Sequence, residues 1–99
     1  MANYVISFRV PADYKPSAET PNEWKAWFGG LGSSLVDVGR AVTGYASAGE
    51  VGGSGSRMIG YSVISATDLD SAQALAKDCP VMQVGGGVEI GPVMEAAGS

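Results

Sequence analysis

The chain has 99 residues, 45% of them hydrophobic and only 16% charged, a composition that is globular rather than disordered and gives one domain with a modest core. Six basic residues stand against ten acidic ones for a net charge of -4, with no run of Lys or Arg, so nucleic acid is not an expected partner. Histidine is absent, which removes the usual near-neutral proton shuttle and the commonest metal ligand, and no metal or cofactor is expected.

The first element is a strand. From Tyr4 to Val10 the residues alternate, with Tyr4, Ile6, Phe8 and Val10 on one face and Val5, Ser7 and Arg9 on the other. Pro11 closes it. The residues from Ala12 to Pro21 form a loop, punctuated by Pro16.

A helix follows, with Thr20 or Asn22 as its cap and Pro21 in its first turn. Trp24, Trp27, Phe28, Leu31, Leu35 and Val38 recur at helical spacing, which predicts one helix running to Val38 and stopped by Gly39. Gly29, Gly30 and Gly32 weaken it by roughly 1 kcal/mol each relative to Ala. Either a close backbone or ligand approach explains them, or burial of the aromatic stripe compensates; the second reading is preferred.

Arg40 to Ser47 reads as a strand, Ala48 to Ser56 as a flexible Gly/Ser-rich tip, and Met58 to Ala66 as the returning strand of a hairpin. The tip lacks the Lys-Ser/Thr ending and the helix of a phosphate-binding loop. Thr67 or Asp68 caps a second helix, completed by Asp70, with Leu69, Ala72, Leu75, Ala76 and Cys79 on its apolar face and Pro80 at its end. A last strand runs through Val88, Ile90 and Pro92, and Pro92 places it at a sheet edge. The domain is expected over residues 1–95, with a frayed tail at 96–99.

This order, β-α-β-β-α-β, is that of an α+β, ferredoxin-like fold: a four-stranded antiparallel sheet with both helices on one face. The opposite face is left bare, and homodimerisation through it is the expected remedy for so charge-poor a chain. Lone Cys79 forms no internal disulfide and, embedded among apolar positions, reads as a packed thiol rather than a nucleophile. With no secretory leader and no membrane-length apolar run, a reducing, cytoplasmic setting is expected.

Two groups of residues are candidates for chemistry. Asp37, at the end of an apolar stripe where a helix dipole disfavours negative charge, is either a general base or ligand acceptor walled by Trp27 and Tyr61, or a cap on a neighbouring backbone amide or a partner of Arg40. The structural alternative is preferred. Strand alternation would place Ser7, Arg9, Tyr45, Ser62 and Glu89 on the bare face, where Arg9 and Glu89 either bind a carboxylate-bearing ligand or form an ion pair between subunits. Trp24 and Trp27 either stack on an aromatic ligand or are plain core.

The sequence resembles the YCII-related, or DGPF-domain-like, proteins of the dimeric α+β barrel superfamily. The resemblance covers nearly the whole chain. It is carried by Trp24-x-x-Trp27, Leu31-Gly-Ser-Ser-Leu-Val-Asp37-x-Gly39, Gly60-Tyr61-Ser62-Val63, Leu69-Asp70-x-Ala72 with Ala76-Lys77-x-Cys79-Pro80, and Gly86-x-Val88-Glu89. It implies a homodimer whose sheets close into a barrel, with a cleft between sheet and helices. The His-Asp pair of some relatives has no counterpart here, nor does the Asp-Gly-Pro-Phe tetrapeptide, where the chain reads Gly49-Glu-Val-Gly-Gly-Ser-Gly-Ser56. The expected function is accordingly the binding of a small apolar or carboxylate-bearing molecule; the alternative is a cofactor-free acid/base enzyme, an isomerase, lyase or monooxygenase, using Asp37.

Overall fold

A computed structural model of the chain describes residues 1–51 and 55–94; the middle of the glycine-rich tip and the expected tail at 96–99 lie outside them. Strand β1 (Ala2–Pro11), helix α1 (Thr20–Leu31), strands β2 (Leu35–Ala41) and β3 (Ser56–Ala66), helix α2 (Leu69–Ala76) and strand β4 (Gly87–Pro92) follow in order. The four strands form one sheet in the order β2-β3-β1-β4, and every pairing is antiparallel. This is the ferredoxin-like α+β arrangement that the sequence predicts.

Alternation in β1 decides which face is buried. Tyr4, Ile6, Phe8 and Val10 are each at most 6% exposed and meet Leu31, Ala72, Ala76, Cys79 and Val81 beneath the helices. The register sets Ile64, Ser62 and Gly60 of β3 beside Tyr4, Ile6 and Phe8 on that same face. Ser7 and Val5, with Tyr61 and Val63 opposite them, occupy the bare face. Pro92 lies in β4 at the sheet edge, where a residue without an N–H is tolerated.

The first helix is shorter than its apolar stripe. Gly32 takes φ +55 and ends α1 after Leu31; a 3-10 turn, Gly32–Ser34, leads directly into β2. Leu35, Asp37 and Val38 are thus strand residues, and the strand expected over Arg40 to Ser47 begins five residues earlier and ends at Ala41. Tyr45 lies beyond it, outside the sheet.

Helix capping also differs between the two helices. Thr20 opens α1 from within, preceded by Glu19, and its hydroxyl accepts the Ser17 N–H at 2.9 Å instead of capping the helix. In α2 the expected cap holds: Asp68 accepts the Ser71 N–H at 2.7 Å. Cys79 is fully buried just before a second 3-10 segment, Pro80–Val84. Burial pushes its thiol pKa up, consistent with a packing role. Among the described residues no helix is long and apolar enough to cross a membrane.

Candidate functional site

The aromatic residues of α1 gather over the sheet. Trp24 meets Phe8 edge-on at 4.8 Å between ring centroids, and Phe28 lies 5.7 Å from Trp24. A Cβ built on Gly29 or Gly30 would touch nothing within 4 Å, so no close approach requires these glycines. Aromatic burial is what compensates for them.

Trp27 faces a different neighbour. Its ring joins the cluster, but its indole N–H donates to the Leu75 carbonyl at 3.3 Å, tying α1 to α2. Trp27 therefore braces the helix pair, whereas Trp24 and Phe28 line a cavity.

That cavity, of about 260 Å³, lies between α1 and the β2–β3 ladder. Phe8, Trp24 and Phe28 form one wall; Val38, Ile59 and Ser62 belong to the other, with Arg40 and Tyr61 also contributing to the lining. Its shape depends on irregularities in β2. The β2–β3 register slips between Leu35 and Asp37 and again between Asp37 and Arg40, so seven residues of β2 run beside the five from Gly60 to Ile64. Gly39, at φ +73, carries the second bulge, and a Cβ there would collide with the Tyr61 carbonyl. A Cβ on Gly60 would come within 2.7 Å of the Arg40 carbonyl.

Polar groups at the bulge satisfy one another. Ser62, fully buried, donates its hydroxyl to the Val38 carbonyl at 2.7 Å. Asp37 accepts the Gly39 N–H on Oδ1 at 2.9 Å, an Asx turn that stabilises the left-handed glycine. Among the described residues no buried side-chain polar atom lacks a partner.

The candidate residues thus fall in several places. Ser62 lines the cavity from the helix-covered face and its neighbour Tyr61, which the Ser7 register sets on the bare face, borders it, while Asp37 sits exposed in β2, away from any helix end, and holds the turn beside it. Ser62 belongs to the helix-covered face and not to the bare one, because its register partner is Ile6. Ser7 and Glu89 do share the bare face and oppose each other directly. Arg9 lies on that face too, but its guanidinium bonds Ser56, at 2.9 Å to the hydroxyl and 3.1 Å to the carbonyl. Trp24, weighed in the sequence only as a stacking group or plain core, and Phe28, read there only as an apolar residue of the helical stripe, are both lining residues.

Among the described residues no three of Asp, Glu or Cys come together in a way that could hold a metal ion. No family model matches the chain, and no curated protein matches it either.

Proposed function

We propose that this domain binds a small apolar molecule in the cavity between α1 and the β2–β3 ladder, without catalysis. The carrying observation is the wall of Phe8, Trp24 and Phe28 around a space of about 260 Å³. A dry apolar cavity of roughly 150 Å³ already accepts benzene, so a substituted aromatic or a short branched aliphatic fits. The carboxylate-bearing alternative drew its cation from Arg9, which is committed to Ser56. The acid/base alternative draws on Asp37, whose carboxylate is committed to the Gly39 turn.

The domain works as a cytoplasmic homodimer in this reading, with the two bare sheet faces packed together. Val5 and Tyr61, 37% and 39% exposed on that face, support it, because burying them recovers apolar surface that the monomer leaves wet.

Toluene tests the cavity. A ligand bound only by the folded state raises its melting temperature in proportion to occupancy. Saturating toluene should raise the melting temperature of the wild type and leave that of a cavity-filling Val38→Trp variant unchanged. Equal shifts in both proteins, or none in either, would reject the site.

A further inference from the structure

Across the bare face, one row of directly paired residues runs from edge to edge of the sheet. Arg40 in β2 opposes Tyr61 in β3, Tyr61 opposes Ser7 in β1, and Ser7 opposes Glu89 in β4. The two ends of the row carry opposite charges, separated by three strand spacings of about 4.8 Å each, or roughly 14 Å. Both side chains are exposed, and neither charge is paired with another described residue. The adjacent row runs Asp37, Val63, Val5, Gly91.

We infer that a second copy of this chain docks on the bare face about a twofold axis parallel to the strands, so that Arg40 of each copy pairs with Glu89 of the other. This rests on the homodimer reading above and fixes its geometry. A twofold axis along the strands, lying between two facing sheets, reverses the order of strands from one sheet to the next. It therefore sets β2 against β4 of the second copy, and β3 against β1. Arg40 then faces Glu89 twice, Tyr61 faces Ser7, and Val63 faces Val5, giving an apolar centre flanked by two ion pairs. Asp37, in the adjacent row, faces Gly91 and meets no like charge.

The competing axis, running across the strands, sets each strand against itself. Arg40 would face Arg40 and Glu89 would face Glu89. Like charges juxtaposed across an interface are costly, so charge selects the first arrangement. Sheets packed face to face stand about 10 Å apart, a gap that a long Arg and a Glu reaching from opposite sides can close.

Sedimentation equilibrium of the full chain tests this with charge reversal. Arg40→Glu alone and Glu89→Arg alone each place like charges opposite one another at both ends, and each should weaken the dimer about a hundredfold, a factor of about ten per pair. The double variant Arg40→Glu/Glu89→Arg restores both pairs with signs exchanged and should return the dissociation constant to within a few-fold of the wild type. Single variants that dimerise like the wild type, or a double variant as weak as the singles, would overturn the pairing while the dimer itself stands. A wild type that sediments as a single copy at tens of micromolar would overturn the dimer and the pairing together.

Discussion

Ser62 and Val38 hold the irregular edge of the sheet together. The Ser62 hydroxyl, buried under the helices, donates at 2.7 Å to the carbonyl of Val38, a bulge residue with no register partner in β3. Removing the hydroxyl removes this bond from that carbonyl. Ser62→Ala should cost about 1–2 kcal/mol, seen as a melting temperature lower by roughly 5–10 °C for a domain of this size. A variant melting with the wild type would show that the bond contributes nothing to the bulge.

Asp37 serves the same bulge from the exposed side. Asn offers an equivalent oxygen to the Gly39 N–H, whereas Ala offers none. Asp37→Ala should lose about 1 kcal/mol of stability and Asp37→Asn only a few tenths, with toluene binding kept in both. Loss of binding in a folded Asp37→Asn protein would return the carboxylate to the site and favour the acid/base alternative.

Glycines separate into two kinds. At Gly29 and Gly30, in the helix with open space around the missing Cβ, replacement by Ala should stabilise by up to about 1 kcal/mol each. At Gly39, where φ is +73 and a Cβ meets the Tyr61 carbonyl, the same replacement should destabilise by more than about 2 kcal/mol. Urea titration of the three variants reads all these effects, and a stable Gly39→Ala protein would contradict the bulge geometry.

Asp68 gives a pH dependence of defined sign. The backbone N–H and hydroxyl of Ser71 hold its carboxyl below the ordinary value of 3.8. A lowered folded pKa means that the ionised cap stabilises α2 above the unfolded value and that this contribution is lost as pH falls through the folded one. Asp68→Asn keeps a capping oxygen without the charge. Wild type should therefore exceed this variant in stability at neutral pH and converge with it as pH drops below the ordinary carboxylate range; a gap that widens on acidification would contradict the assignment.

How far the sequence disclosed the fold depends on regularity. In β1 strict alternation, and in α2 a capping Asp68 ahead of Ala72 and Ala76, state their structure in plain periodicity and hold, although α2 stops at Ala76, three residues short of Cys79, and Leu69 is exposed. The segment Leu35 to Ala41 does not, since a twice-bulged strand loses its period of two. Leu35 and Val38 happen to continue the helical spacing of Trp24 to Leu31, so the stripe reads straight through Gly32. The available signal for a stop is the cluster Gly29, Gly30 and Gly32 followed by Ser33 and Ser34, of which only Gly32 takes the positive φ, +55, that ends the helix. Because Leu35 to Ala41 is a strand, Asp37 has no helix end beside it. Ser62 lies on the covered face and not the bare one because the β1–β3 register, which alternation within one strand does not fix, sets it beside Ile6. Trp24 and Phe28 were legible as apolar groups, but their division from Trp27 depends on the Leu75 contact, 48 residues away in sequence.

The two tryptophans allow the most direct test of the binding site. Trp24 lines the cavity, and Trp27 directs its indole N–H toward Leu75. Nuclear magnetic resonance of the two indole N–H groups during titration with toluene should show a saturable shift at Trp24 several times larger than any at Trp27. Shifts confined to Trp27, or no saturable shift at either indole, would contradict a ligand bound between α1 and the bulged edge of the sheet.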